Sequence, residues 1–325
     1  MTNKKYDVVA LGELLIDFTE NGLSEQGNPL LEANPGGAPC NVLSMLQKLG
    51  DKTAFIGKVG NDGFGHLLTK AVQEQGIDTT GLVYDNDVHT TLALVLKKEN
   101  GDRDFAFYRN PGADMNLKEE EVNESLIASS SIFHFGTLSL TDESVKMATQ
   151  KAVKAAKENG LTITFDPNLR EPLWRSLEEA HEQVAWGLQQ ADVVKISDNE
   201  ITWFTGIDNY DEGIAFLQKE YPNLKLICLS MGGDGSKAVY RDIHVAYPAF
   251  LQEATIETTG AGDTFCACMI HTVLENGIDH LDEEKLKEML KFANAAASLV
   301  TTKKGALRVM PTKEEVETFI ENFKR

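Results

Sequence analysis

Six short apolar runs recur along the chain, and each of them ends in turn residues. They cover residues 6–11, 54–59, 132–135, 161–165, 193–196 and 226–229. Runs of this length are typical of strands that are buried on both faces of a parallel sheet. Helical periodicity appears in residues 144–158 and 286–300, where apolar side chains recur every three to four positions. Alternating strands and helices predict an α/β fold, specifically a three-layer α/β/α sandwich.

Residues 91–108 break this alternation. Leucine occupies every second position from 92 to 96, and Asn100-Gly101 suits the positive backbone angles of a tight hairpin turn. An isolated two-stranded ribbon is marginal in water, so we expect it to join strands from residues 13–35. The resulting small β-sheet is predicted to be a lid, formed by segments of about 13–35 and 88–112 inserted into the main fold.

Charge and composition restrict the partners of the chain. It carries 31 Lys and Arg against 50 Asp and Glu, and its formal charge of −19 would repel a nucleic-acid backbone. No stretch approaches the roughly 18 apolar residues of a membrane span. The four cysteines lack the spacing of a metal site or a disulfide framework, which fits a reducing compartment. We therefore expect a single domain spanning residues 1–325, located in the cytoplasm, that binds neither nucleic acid nor membrane.

The most informative motif is ETTGAGDTF at residues 257–265, which is followed by a helical pattern. Gly260 and Gly262 remove side chains from the start of this helix, where N–H groups and the positive dipole end can hold an anion. Asp263 would place a carboxylate beside that anion, which is costly unless it serves a proton transfer. The arrangement indicates phosphoryl transfer. The alternative is a tight turn in which Asp263 caps the helix.

This motif resembles the signature near the carboxyl end of ribokinase-like, or phosphofructokinase B type, carbohydrate kinases. Further segments follow in the family's order, namely residues 36–41 (GGAPCN), 57–65, 165–170 (FDPNLR), 197–200, 229–236 and 304–306. The resemblance covers essentially the whole chain. It implies a ribokinase-like fold and an ATP-dependent sugar kinase.

By this resemblance Asp263 is the catalytic base, and the amides of Gly260, Ala261 and Gly262 stabilise charge on the transferred phosphoryl group. Glu200 resembles the glutamate that organises Mg²⁺ through water. The family usually has Asn where this chain has Ser197, so the hydrogen bonding near the metal is expected to differ.

The resemblance also implies a sugar-binding set. It contains Asp17, Gly36, Gly37, Asn41, Arg109, Asp166 and Arg170. Asp and Asn side chains can bond a polyhydroxyl ligand, although either residue taken alone is as well explained as a loop or cap residue. Residues 107–115 (FYRNPGADM) are most similar to fructokinases, and Arg109 is expected to bond sugar hydroxyls or an incoming anion. For Arg170 a surface ion pair is the alternative.

The nucleotide and a monovalent cation are assigned to the second half of the chain. The nucleotide set implied by the resemblance is Lys195, Ser230, Gly232, Gly235 and Asn294. Some family members bind a monovalent cation, and the matching residues here are Glu257, Thr259, Val300 and Gly305. The implied cofactors are thus ATP and Mg²⁺, with K⁺ as a further candidate.

The sequence therefore predicts a kinase that transfers the γ-phosphoryl group of MgATP to a primary hydroxyl of a ketohexose, with fructose as the favoured substrate. A kinase for ribose or 2-keto-3-deoxygluconate is one alternative. A non-catalytic sugar or nucleotide sensor on the same fold is another, because fold alone does not determine function. Exposed strand edges on the lid favour a homodimer.

Overall fold

The computed structural model describes residues 4–97 and 103–323. Its strands are β1 (Tyr6–Leu11), β2 (Leu15–Leu23), β3 (Pro29–Gly36), β4 (Thr53–Gly60), β5 (Asp78–Asp85), β6 (Leu92–Lys97), β7 (Arg103–Tyr108), β8 (Ser130–Gly136), β9 (Thr162–Asp166), β10 (Val193–Ser197), β11 (Leu226–Ser230), β12 (Ser236–Tyr240) and β13 (Ile243–Tyr247). Its α-helices are α1 (Ala38–Leu49), α2 (Gly63–Glu74), α3 (Glu124–Ala128), α4 (Glu143–Glu158), α5 (Leu177–Gln190), α6 (Asp198–Thr205), α7 (Tyr210–Glu220), α8 (Ala261–Asn276), α9 (Glu283–Val300) and α10 (Lys313–Asn322). None of these helices is long and apolar enough to cross a membrane.

The larger sheet has the strand order β13-β12-β11-β10-β9-β8-β1-β4-β5. All six predicted runs lie in it, and they form parallel strands. The chain places β4 and β5 on one side of β1 and the strands from β8 onward on the other. Ligands of open α/β sheets bind at such a reversal, outside the carboxyl ends of the strands.

Helices cover both faces of this sheet, which gives the predicted three layers. Alternate residues of β1 point to opposite faces, so Val8 and Ala10 join one core while Val9 and Leu11 join the other. The first core packs against helices that include α1, α8 and α9, and the second packs against α4 and α5. Burial on both faces explains why these strands appear in the sequence as continuous apolar runs.

A second sheet lies apart from the first, with the strand order β3-β2-β6-β7. Its strands come from the two segments in which we placed the lid. Strands β6 and β7 pair antiparallel, and β2 pairs with β6 in parallel. The predicted turn at Asn100-Gly101 lies outside the described residues.

Three strands of the larger sheet were not predicted. These are β5 at one edge and the antiparallel hairpin of β12 and β13 at the other. Strand β13 exposes alternate residues, so it lacks the apolar run of a central strand.

Candidate active site

A cavity of about 430 Å³ opens where the carboxyl ends of β9 and β10 meet the start of α8. It brings together twelve of the sequence-predicted residues, namely Asp17, Gly37, Asn41, Arg170, Lys195, Glu200, Glu257, Thr259, Gly260, Gly262, Asp263 and Gly305. These residues come from both sheets and from α1, α6 and α8. We call this cavity the cleft.

The start of α8 forms one wall of the cleft. Gly260 is the N-cap residue and has a φ of 78°, a conformation that favours glycine, and an added Cβ would lie 2.6 Å from the Ala306 Cβ. The amide of Ala261 donates to Thr258 O at 3.2 Å. At Gly262 an added Cβ would lie 3.2 Å from the Lys195 Nζ. The lysine ammonium therefore lies beside the positive end of the helix, where both favour an anion.

Asp263 lies in the first turn of α8 and is only 9% exposed. Its side chain does not cap the helix. Instead, Asn41 Nδ2 donates to Asp263 Oδ2 at 2.8 Å. Burial raises the pKa of Asp263 above its ordinary value, and the Asn41 hydrogen bond and the positive charges of Lys195 and Arg170 oppose that rise. A carboxylate with a raised pKa is a better proton acceptor, as a general base requires.

Asn41 itself has an unused polar atom. Its Oδ1 is buried and has no hydrogen-bond partner among the described residues. Because a buried acceptor without a donor is costly, this oxygen is suited to a ligand hydroxyl. Asn41 can thus join a bound ligand to Asp263.

Asp17 faces the same space from the second sheet. Burial raises its pKa to about 7, with Asp263 and Glu257 adding to the effect and Arg170 opposing it. Gly36 lies beside it, and a Cβ there would overlap the Asp17 Oδ2. Gly37 has a φ of 123°, and a Cβ at this position would overlap the Glu13 carbonyl oxygen. The diglycine thus lets the second sheet approach α1 closely.

A buried ion pair lies next to the cleft and includes one of its lining residues. Lys195 Nζ lies 3.1 Å from Asp166 Oδ2, and both side chains are nearly inaccessible. Burial alone would lower the pKa of Lys195, but the charges of Asp166 and Glu200 raise it above its usual value. The ammonium therefore stays charged. Asp166 does not line the cleft, and its partner Lys195 does.

Glu200 lies in the first turn of α6 and accepts three hydrogen bonds. Their donors are Leu169 N, Ser197 N and Ser197 Oγ, each at 2.8 Å. Burial opposes ionisation, but Lys195 and these hydrogen bonds lower the pKa of Glu200 overall. Ser197 therefore forms a capping box with Glu200 where the family pattern has Asn. Within residues 4–97 and 103–323, no group of three or more His, Cys, Asp or Glu side chains is placed to hold a metal directly.

Arg109 is not placed in the cleft. Its side chain is 2% exposed, and all three of its guanidinium nitrogens are bonded within the protein, to Asp114, Thr141 and Leu138. The guanidinium is therefore already engaged by protein groups, and its expected bond to a sugar hydroxyl stays a prediction. The physical reason for the internal bonding is the nearby Asp114 carboxylate, which matches the arginine better than a neutral hydroxyl does.

The nucleotide residues other than Lys195 lie outside the cleft. Ser230 ends β11, and Gly232 and Gly235 follow it in the turn to β12. A Cβ at Gly235 would overlap the backbone of Tyr247, so this glycine also has a packing role. Asn294 accepts from Ser236 Oγ at 2.8 Å and donates to Tyr247 O at 3.0 Å, so its amide side chain is engaged in holding β12 and β13 against α9.

The cation residues are only partly assembled. Glu257, Thr259 and Gly305 line the cleft, and Gly305 N donates to Glu257 Oε1 at 2.7 Å. Val300 is buried and does not line the cleft, and its carbonyl accepts from Lys303 N at 3.2 Å.

The sequence prediction missed Glu13. This residue is 5% exposed, lines the cleft, and accepts a hydrogen bond from Ala38 N at 2.7 Å. Burial raises its pKa to about 7. A signal was available, because Glu13 is a carboxylate within the otherwise apolar run from 8 to 16. Val95 and Phe107 of the second sheet were also missed, and both line the cleft.

Comparison with known proteins agrees with this geometry. A model of the pfkB family carbohydrate kinases matches residues 5–313. Fructokinase-1 of Zea mays is 42% identical over 316 residues, which cover 97% of this chain and 97% of the relative. The chain belongs to the pfkB family of carbohydrate kinases.

Solved structures give the same fold. A fructokinase with bound ATP from Xylella fastidiosa superposes with a TM-score of 0.88 at 29% identity, over 97% of this chain and 98% of that one. A fructokinase from Vibrio cholerae in a form with fructose, ADP and calcium ion bound gives 0.87 at 28% identity, over 97% and 99%. The predicted ribokinase-like fold and the predicted class of sugar kinase are both confirmed.

Proposed function

We propose that this protein is an ATP-dependent fructokinase that phosphorylates a primary hydroxyl of fructose. The observation that carries the proposal is the buried Asp263 carboxylate, which is bonded to Asn41 and lines one cleft together with the positive end of α8 and the carboxylate of Asp17. One side of Asp263 is suited to a phosphoryl group and the other to a polyhydroxyl ligand. The relatives that are named fructokinases support the choice of sugar.

The sugar is assigned to the end of the cleft between the two sheets. Asp17 accepts hydrogen bonds from sugar hydroxyls there, and the unpartnered Asn41 Oδ1 accepts one more. Val95 and Phe107 supply an apolar cover from β6 and β7. A few directed polar groups in a largely apolar pocket are what fixes the orientation of a small ligand.

In the reaction, Asp263 takes the proton of the acceptor hydroxyl while the oxygen of that hydroxyl bonds to the γ-phosphorus of ATP. The bond from that phosphorus to the bridging oxygen breaks, and ADP leaves. Negative charge on the transferred group is stabilised by the amide end of α8, with Gly260, Ala261 and Gly262, and by the Lys195 ammonium. Exposed Arg170 lines the same cleft, and its positive charge acts on both Asp17 and Asp263.

ATP, as in the bound form from Xylella fastidiosa, is assigned to the side of the large sheet that carries β11 and β12. Ser230, Gly232 and Gly235 offer backbone groups there, while Asn294 shapes this wall through its bonds to Tyr247 and Ser236. Bound magnesium would offset the phosphate charge, and ionised Glu200 is suited to hold it through water. We assign K⁺ to two chain segments, one before α8 with Glu257 and Thr259 and one at and after the end of α9 with Val300 and Gly305.

We also place this kinase in the cytoplasm as a homodimer. Its four cysteines are free and buried, which is in keeping with a reducing compartment. Leu23, Leu30 and Tyr108 of the second sheet are 64%, 47% and 63% exposed, and such apolar positions on a sheet support self-association. Light scattering of the purified protein measures the oligomeric state, and a monomer at all concentrations would reject the dimer.

The function is tested by ADP release from MgATP with fructose, ribose, glucose, 2-keto-3-deoxygluconate and no sugar. Fructose-selective turnover is expected. Selectivity for another compound would keep the kinase and reject the substrate. If no sugar supports turnover while sugars still raise the melting temperature, the protein is a sensor and the catalytic proposal fails.

A further inference from the structure

We infer that the buried ion pair between Arg109 and Asp114 positions the lid ribbon, β6 and β7, over the sugar end of the cleft. In this role the pair sets sugar recognition without touching the sugar. The inference rests on the proposed function for its kinetic consequence, but the structural relationship is independent of which substrate the enzyme takes.

The pair is unusually inaccessible for two charged groups. Asp114 Oδ2 lies 2.7 Å from both Nε and Nη2 of Arg109, and each side chain is 2% exposed. Buried charges are tolerated where they are paired and further hydrogen-bonded. Removing one partner would leave the other charge buried without compensation, so the geometry of this pair is strongly fixed.

The pair joins the two roots of the ribbon. Thr91, immediately before β6, donates its hydroxyl to Asp114 Oδ1, while Arg109 immediately follows β7. The Thr91 carbonyl also accepts from Ile16 N at 3.1 Å, next to Asp17 on β2. The Asp114 carboxylate therefore joins both roots of the ribbon, next to the backbone pairing of β6 with β2 beside Asp17.

The same arginine also connects the ribbon to the chain that follows β8 of the larger sheet. Its Nη1 donates to Thr141 Oγ1 at 2.8 Å, and its Nη2 donates to Leu138 O at 2.9 Å. Leu138 lines the cleft, as do Val95 and Phe107 on the ribbon. Arg109 thus links the ribbon that carries Val95 and Phe107 to Leu138, and all three apolar side chains line the cleft.

The chain leaves room for this cluster at Gly112. A Cβ at that position would overlap the Thr91 Oγ1 and lie 2.9 Å from both the Arg109 Cγ and the Asp114 Oδ1. The glycine in RNPGAD is therefore required by the packing of the ion pair. The motif that most resembles fructokinases builds this root of the ribbon. It therefore affects substrate choice by positioning the ribbon and not by contacting the sugar.

The test uses Asp114→Asn, Thr91→Val and their double variant in the full-length protein. We expect the KM for fructose to rise at least about fivefold in each single variant, the scale of one unsatisfied buried group, with the KM for ATP nearly unchanged. Because both substitutions break the same link, the double variant should be no worse than Asp114→Asn. Asp211→Asn is the matched control, since it breaks an exposed ion pair with Lys237.

Hydrogen exchange of the backbone amides in β6 and β7, measured without ligands, gives a readout that does not depend on the substrate. Faster exchange in both strands is expected for Thr91→Val and not for Asp211→Asn. If Thr91→Val leaves both the fructose KM and the exchange unchanged, the inference is wrong. If Asp114→Asn does not fold, Thr91→Val alone decides, because it removes only a hydroxyl. If the wild type does not phosphorylate fructose, the proposed function fails and the exchange experiment still tests the ribbon.

Discussion

Asn41 donates its side-chain amide to the Asp263 carboxylate across 2.8 Å, although the two residues are 222 positions apart in the chain. The bond joins the first turn of α1 to the first turn of α8. Asn41 Oδ1 is the oxygen left for a sugar hydroxyl. The residue to which we assign the acceptor hydroxyl thus also hydrogen-bonds the proposed general base, and a substitution of Asn41 should be detected at Asp263.

Asp263→Asn tests the general base directly. The amide is close in size to the carboxylate, so we expect an unchanged melting temperature and unchanged ATP binding. Turnover should fall at least about a hundredfold, the usual scale of general-base loss, because an amide cannot accept the hydroxyl proton. ADP release with saturating fructose and MgATP measures it. Near-normal turnover would remove Asp263 from this role.

Asn41→Ala tests the coupling through the pH profile. The hydrogen bond from Asn41 stabilises ionised Asp263, so its removal raises the pKa of Asp263 further. The enzyme needs the ionised base, and the acidic limb of log kcat/KM against pH should therefore move upward by about one unit. Ser44→Ala, on the same helix but bonded to Leu307 O, is the control and should not move it. An unshifted limb in Asn41→Ala would argue against the coupling.

Gly260→Ala and Gly262→Ala should separate stability from catalysis. At Gly260 the φ of 78° alone costs a side chain roughly 1–2 kcal/mol, and the overlap with Ala306 adds to it, so the free energy of unfolding should fall. Gly262 has no such strain, but its Cβ would displace Lys195, and kcat should fall about tenfold or more. Urea unfolding and steady-state kinetics measure the two effects. Equal loss of stability in both variants would contradict this division.

The central strands could be predicted because burial on both faces requires continuous apolar runs, as in β4, where every residue is buried. The hairpin of β12 and β13 could not be predicted, because each strand has only five residues and β13, at the edge of the sheet, exposes alternate ones. The start of α8, with Gly260, Gly262 and Asp263 at the cleft, could be predicted because its sequence pattern is local to one turn. The partner of Asp263 could not be derived from local pattern, since α1 is far away in the chain.

Arg109 illustrates a different limit. An arginine after a strand appears the same in a sequence whether its partner is a ligand or a protein carboxylate. Asp114 is only five positions away, but Thr141 and Leu138 are about thirty, and only the folded chain brings them to the guanidinium. A basic and an acidic residue in one short motif, RNPGAD, is a signal that could have favoured the internal pair over the sugar.

Glu13→Gln should raise stability, and the gain should depend on pH. The pKa of Glu13 is about 7 in the folded protein against an ordinary 4.5, so the folded state binds its proton more tightly than the unfolded chain does. The free energy of unfolding of the wild type therefore falls as pH rises from about 4.5 to about 7 and is then constant with respect to this group. Glutamine keeps an oxygen for the Ala38 amide and carries no charge to bury.

The variant should accordingly match the wild type near pH 4.5 and exceed it at pH 8 by at most about 3 kcal/mol, from 1.36 kcal/mol per pKa unit. Urea unfolding at pH 5 and pH 8 measures the difference, with Glu182→Gln on the exposed face of α5 as the control. A gain of the same size at both pH values would mean that Glu13 has the same protonation in the folded and unfolded states across this range, so that folding does not raise its pKa. The ionised Glu13 carboxylate, which holds the first turn of α1 at the cleft, would then not lower the free energy of unfolding.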